Sequence, residues 1–181
     1  MGQGRFIAVV GPSGVGKDSV MSALAEAEPN ASLLRRVITR ASEAGGEDYE
    51  PVTVAEFTVR RETGEFALHW QAHGLHYGIP ASIDEDLAGG RDMLVNLSRS
   101  VLSQARARFD RFLCLSITAP KSVLAQRLAA RGRETAEEIE RRLSRSEFQI
   151  PEDMQVSKVD NSGSLSETVK AIRSMLYPVK V

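Results

Sequence analysis

Apolar positions along the chain fall into short unbroken runs that alternate with stretches of helical spacing. Residues 5–10, RFIAVV, form a β-branched run that halts at Gly11, the pattern of a strand buried on both faces. Between Lys17 and Glu26, Val20, Met21, Leu24 and Ala25 recur at helical intervals. LLRRVIT, residues 33–39, predicts a second strand. Thr53 with Glu56 three residues on has the form of a capping box, so a short helix is expected to follow and to end near Gly64. FALHWQAHGLHYGIP, residues 66–80, alternates apolar with polar residues around two glycines and reads as strand and turn. DMLVNLS (92–98) and FLCLSIT (112–118) are further core strands, separated by a helix through SVLSQARARF. KSVLAQRLAARG (121–132) is an amphipathic helix closed by Gly132, and ETAEEIERRLSRSEF (134–148) a strongly charged one. MQVSKVDN predicts a last short strand and SLSETVKAIRSML a C-terminal helix. This alternation predicts an α/β fold, with a parallel sheet covered by helices on both faces. No repeat or Pro/Gly/Ser-rich linker divides the chain, so residues 1–181 are expected to form one domain.

Composition narrows the function. A formal net charge of −1 supplies no global field for nucleic acid or an acidic membrane. No apolar run reaches the roughly 18 residues of a membrane span, and the N-terminus has no signal-peptide cleavage pattern. A cytoplasmic protein acting on small molecules is expected; the oligomeric state is left open. Cys114 is the only cysteine, and its apolar run FLCLSI makes it a core thiol.

The chemistry begins at GPSGVGKDS, residues 11–19. Gly11, Pro12, Ser13, Gly14, Val15, Gly16 and Lys17 have the Gly-x4-Gly-Lys spacing of a phosphate-binding loop, and they lie between a strand and a helix, as that motif requires. Backbone N–H groups of such a turn make an anion nest, the helix adds its positive end, and the lysine reaches the outer phosphates. ATP is the expected ligand. The motif usually continues with a hydroxyl residue that holds magnesium, but here Asp18 stands there and Ser19 follows, about 100° further round the helix. A carboxylate suits Mg2+, so Asp18 is the candidate metal ligand, directly or through water; an acid favoured by the helix dipole is the plainer reading. His69, His73 and His76 suggest zinc spacing, but Gly74 and the alternating pattern argue against a helix that would gather them. Trp70 either closes a pocket or belongs to the core.

GPSGVGKD, VITR (37–40), GGEDY (45–49), HYGIP (76–80) and RLAARGRETAEEIERRL (127–143) fall in the order seen in guanylate kinases, and the resemblance covers nearly the whole chain. It implies a P-loop NTPase core, an acceptor-binding segment at about 33–80 and an arginine-bearing lid at about 127–148. By resemblance Arg40, Tyr49 and Tyr77 hold the acceptor's phosphate. The base-reading positions do not match: Leu68, Ile79, Asn96 and Ser98 stand where guanine readers are expected, and Glu43 stands near the place of a second arginine. A site without those partners loses its grip on guanine by orders of magnitude. GKD, VITR, GGED, FALHWQAHGLHYGIP, LVNLSR and ARGRE together resemble ribose 1,5-bisphosphate phosphokinases of bacterial phosphonate utilisation, in which Asp follows the loop lysine. Their third core strand usually continues Asn-Gly-Ser-Arg; Leu97 replaces the glycine here.

That resemblance implies transfer of the ATP γ-phosphoryl group to the 1-phosphate of ribose 1,5-bisphosphate. Arg131 and Arg142 match lid positions that reach the transferring group. Arg133 and Arg145 stand beside them, on charged helices that also have the makings of a solvated face, as in the pair Glu138–Arg142. Arg127 is expected near the adenine or the phosphates, and Asn161 either near adenine or in a plain turn. Asn96, Ser98 and Arg99, at the carboxyl end of a core strand, are candidates for ribose hydroxyls or the 5-phosphate, with helix capping as the alternative for Ser98. His69 and His76 are candidates for sugar or phosphate contacts. A guanylate-type nucleoside monophosphate kinase and a non-catalytic interaction module are the competing readings; the intact loop opposes the second.

Overall fold

The structure, a computed structural model, describes residues 2–41, 47–132, 135–144 and 150–178, with the side chains of Arg142 and Ser144 outside the described set. Five strands form a parallel sheet in the order β2-β7-β1-β8-β9. They are β1 (Phe6–Val10), β2 (Ala31–Leu33), β7 (Asp92–Asn96), β8 (Phe112–Thr118) and β9 (Val156–Asp160). Phe6 registers with Met93 on one side and Phe112 on the other, and every residue of β1 is buried. Arg5 fixes the start of the central strands: its backbone N–H donates to Asp92 Oδ1 at 2.7 Å and its Nε to Oδ2 at 2.9 Å.

Alternation along the strands builds two cores. Ile7, Val9, Leu94, Leu115, Ile117 and Val159 face α1 (Lys17–Ala27), α5 (Lys121–Ala130) and α7 (Leu165–Leu176), whose Leu24, Leu124 and Ile172 are buried against them. Phe6, Ala8, Val10, Met93, Val95 and Cys114 face α3 (Ile83–Ala88) and α4 (Leu102–Arg108). The expected coverage of both faces is present. Burial pushes the Cys114 thiol up to about 11, so it packs as a neutral core group.

A second sheet of four strands, in the order β4-β3-β6-β5, closes over the second core through Leu68, Trp70 and Ile79. It comprises β3 (Arg36–Ile38), β4 (Tyr49–Pro51), β5 (Phe66–Ala72) and β6 (Leu75–Pro80), with α2 (Val54–Glu62) entered through the Thr53–Glu56 capping box. β5 and β6 form a hairpin that turns at His73 and Gly74, both at positive φ (52° and 75°), as a type I′ turn demands. This corrects the expected single strand over 33–39. Leu34 still donates to the Leu94 carbonyl at 3.0 Å, and the chain then leaves the parallel sheet and pairs in the other one. The charged helix is described as α6 (Ala136–Ser144), started by Thr135, whose N–H donates to Glu138 Oε2 at 2.8 Å. Among the described residues, no helix is long and apolar enough to cross a membrane.

Candidate active site

The loop between β1 and α1 lies at the carboxyl end of the parallel sheet, where open α/β sheets bind ligands. Gly14 and Gly16 take φ of 82° and 92°, a conformation that turns successive N–H groups toward one point. At Gly16 a Cβ would also stand 2.9 Å from Asn161 Nδ2, so a larger residue would have to displace that buried side chain. Lys17 opens α1, and its Nζ donates to the carbonyls of Gly11 (2.9 Å) and Pro12 (3.3 Å). Burial lowers its pKa to about 8, Asp18 opposes that shift, and Arg99 and Arg36 add to it. Pro12 is half-buried, Val15 is buried, and Ser13, Asp18 and Ser19 are exposed around the loop mouth.

Asn161 and Arg127 brace this loop from behind. Asn161 is 5% exposed; its Nδ2 donates to the Val15 carbonyl at 2.8 Å and its Oδ1 accepts from Thr168 Oγ1 at 2.7 Å. Arg127 donates from Nη1 to the same Val15 carbonyl at 3.2 Å and from Nη2 to the Asn161 carbonyl at 2.7 Å. Both side chains thus engage the loop backbone. For Asn161 this replaces the plain-turn reading; for Arg127 it gives the guanidinium backbone partners. Asn161→Asp, which keeps the acceptor for Thr168 and removes the donor to Val15, is expected to cost about 1–3 kcal/mol of stability and to raise the KM for ATP. Thermal melting and ATP titration check this; a variant identical to the parent in both would dismiss the brace.

Across the mouth, β7 ends at Asn96, whose Nδ2 donates to Asp18 Oδ1 at 3.3 Å. No group of three or more His, Cys, Asp or Glu residues suited to a metal occurs among the described residues. A divalent ion at Asp18 would take further oxygens from phosphate and water, which suits magnesium. Ser98 does not cap the turn Arg99–Val101; its hydroxyl pairs with Ser100 Oγ at 2.9 Å. Arg99 is half-buried at the start of that turn, within electrostatic reach of Lys17.

The inner face of the small sheet supplies a third wall. Trp70 and Tyr77 pair across the hairpin and stack with centroids 5.2 Å apart, and Leu68 pairs with Ile79 beside them. Trp70 is 7% exposed and belongs to the core. Arg40 lies with its guanidinium carbon 4.3 Å from the Tyr49 ring centroid, and its Nε is buried without a hydrogen-bond partner among the described residues. Tyr49 is buried, and its hydroxyl donates to the Ala41 carbonyl. His69 is not brought into this group: it is exposed on the face opposite Leu68 and Trp70, because the strand's alternation turns it outward. His76 lies on that outer face too, with its ring 5.4 Å from Phe57.

The segment expected to form a lid is described in part. Arg131 caps the end of α5 and is exposed. It stands one turn beyond Leu128, the residue that a Cβ at Gly14 would strike at 3.0 Å, so it shares the helix face that meets the loop. Arg142 is in α6 with its side chain outside the described residues, as are Arg133, Arg145 and Glu43. The sequence reading missed Arg36 and Glu47: Arg36 is 6% exposed and its Nε donates to Glu47 Oε1 at 2.7 Å. An arginine inside the strand run LLRRVIT was the available signal.

Residues 3–178 match the family model for guanylate kinase. The chain is 57% identical over 175 residues to the ribose 1,5-bisphosphate phosphokinase PhnN of Ruegeria sp., covering 96% of this chain and 92% of that protein. It is 48% identical to the protein of the same name from Pseudomonas paraeruginosa, over 96% and 95% of the two chains. Among solved structures it resembles the guanylate kinase of Anaplasma phagocytophilum, with a TM-score of 0.69 at 22% identity, covering 99% of this chain and 89% of that one, a likeness of fold.

Proposed function

Since the chain belongs to the guanylate kinase family and, within it, to the ribose 1,5-bisphosphate phosphokinases, we propose that this kinase transfers the γ-phosphoryl group of ATP to the 1-phosphate of ribose 1,5-bisphosphate, giving 5-phosphoribosyl 1-diphosphate and ADP, as a step of phosphonate degradation. The observation that carries the choice of acceptor is the wall facing the loop. Where a guanine-reading site needs hydrogen-bonding side chains, Leu68 and Ile79 are 7% and 0% exposed and pair with each other in the core. Arg40, Tyr49 and Tyr77, the residues expected to hold the acceptor's phosphate, are by contrast all present in the chain.

In the reaction an oxygen of the acceptor's 1-phosphate forms a bond to the γ-phosphorus. The bond from that phosphorus to the β,γ-bridging oxygen breaks, and its electron pair leaves with ADP. A phosphate monoester has a second pKa near about 6 and is largely dianionic at neutral pH, so no strong base is required. The protein's task is to bring anions together and stabilise spread charge. The loop N–H groups and Lys17 hold the donor's phosphates. Arg40, with Tyr49 beside it, and Tyr77 hold the reacting phosphate of the acceptor; Asn96, Ser98 and Arg99 meet the sugar. Arg131 and Arg142 reach the transferring group from the lid. Magnesium, held at Asp18, would neutralise charge on the donor's phosphates. His69, facing outward, has no part in this scheme.

An ADP-release assay with ATP and magnesium tests the acceptor. Ribose 1,5-bisphosphate is expected to support turnover at least about 100-fold better than GMP in kcat/KM, the scale set by losing partners for a polar base. The reverse preference would favour the guanylate-type alternative.

A further inference from the structure

Arg36 is buried in a place where a charge is costly. β3 sets it beside Tyr49 across the β3–β4 ladder, on the same inner face as Ile38, which pairs with Tyr77. Its guanidinium carbon lies 5.2 Å from the Tyr77 ring centroid and 5.9 Å from that of Trp70. Glu47 takes Nε and Nη2 in a two-pronged pair. A guanidinium has five N–H donors, and among the described residues Nη1 makes no hydrogen bond. Arg36 and Glu47 both act on the Lys17 ammonium, as Arg99 does, so the pair lies within electrostatic range of the phosphate loop.

As a purely structural device this pair is a poor choice, because apolar residues of the same volume serve a core as well or better. As an anion receptor it is well prepared: aromatic rings lie beside the planar guanidinium, Glu47 fixes its fork, and among the described residues Nη1 remains to donate. The rest of the wall narrows the ligand. Leu68, Ile79 and Ile38 are buried apolar neighbours on this face, and among them Arg36 is equipped to meet an anion. Arg40 stacks on the ring of Tyr49, the residue that pairs with Arg36 in the ladder, while the Arg36 guanidinium lies over Tyr77 and Trp70, so two cationic groups meet neighbouring aromatic rings on one face.

We propose that Arg36 binds the phosphate of the acceptor that does not react, while Arg40 binds the one that does, and that Arg36 thereby selects a bisphosphate over a monophosphate sugar; this rests on the acceptor reading above. The test measures kcat/KM with ribose 1,5-bisphosphate and with ribose 1-phosphate, by ADP release. The wild-type protein is expected to prefer the bisphosphate by about 100-fold, the scale of two charge-assisted hydrogen bonds. Arg36→Met combined with Glu47→Gln removes both buried charges together and is expected to bring that ratio down to within about threefold of one. Equal losses on both acceptors, with the ratio kept, would make Arg36 structural and overturn the inference. A wild-type ratio near one would overturn it even if the double variant fails to fold, while leaving the reaction itself in place. No turnover of either sugar phosphate by the wild type would remove the acceptor reading first, and the inference with it.

Discussion

Lys17→Ala is expected to lower kcat roughly 1000-fold, the scale of losing one pre-placed charge at a phosphoryl-transfer site, and to leave the fold intact. Among the described residues the side chain donates to the Gly11 and Pro12 carbonyls alone, at the loop mouth rather than in either core. Melting should therefore change little while turnover collapses. A subtler signature accompanies this. Burial brings the Lys17 pKa down to about 8 in the free protein. Above that pH the ammonium loses its proton and its attraction for the triphosphate. Bound phosphates favour the charged form and push the pKa back up. So kcat/KM for ATP should fall as pH rises through about 8, while kcat, which reports the complex, holds to higher pH. Unchanged kinetics in Lys17→Ala would remove the loop from the mechanism.

Arg131→Ala is expected to lower kcat by roughly 1000-fold as well, in the range found when an arginine is withdrawn from a transferring phosphoryl group. Leu124 and Leu128 of α5 lie against Gly14 of the loop, and Arg131 follows Leu128 by one turn on that face, about 5 Å along the axis. Arg127, four residues earlier, already reaches the loop backbone at Val15. Because Arg131 is exposed, its removal leaves no cavity or unpaired buried group, and thermal stability should be unaffected. The KM for ATP should move by no more than a few-fold, because the charge being stabilised develops in the transition state. A variant with full kcat would return this residue to the solvated face that its sequence neighbours suggest.

What was legible in the sequence was local. The run RFIAVV, the glycine spacing after it and the helical recurrence from Val20 to Ala25 specify strand, nest and helix without long-range information. The Thr53–Glu56 box and the helices around Leu124 and Ile172 are of the same kind. What was not legible depends on pairing between distant segments. YEP, at Tyr49–Pro51, has no periodicity and ends in a proline, and it becomes a strand because β3 lies beside it. LLRRVIT has the apolar content of one strand, yet its first half belongs to the parallel sheet and its second to the small one. The helix Ile83–Ala88 was too short to announce itself, although Ile83 and Leu87 are four apart and Asp84, Glu85 and Asp86 load its first turn. Asn161 and Arg127 bind the loop itself, and a carbonyl partner 146 residues away from Asn161 leaves no trace in the sequence around it. Glu47 and Arg36 meet only because two short strands align.

The central claim is that the phosphoryl group goes to the phosphate of a sugar bisphosphate and not to a nucleotide. Phosphorus NMR of the protein with ATP and magnesium, run in parallel with ribose 1,5-bisphosphate and with GMP, tests it most directly. The account predicts new coupled diphosphate resonances in the ribose sample, appearing as the γ-phosphate signal of ATP decays, and a nearly static GMP sample. Diphosphate signals from GMP alone would mean that the wall of Leu68, Trp70 and Ile79 reads guanine after all, and the assignment of the acceptor would fall.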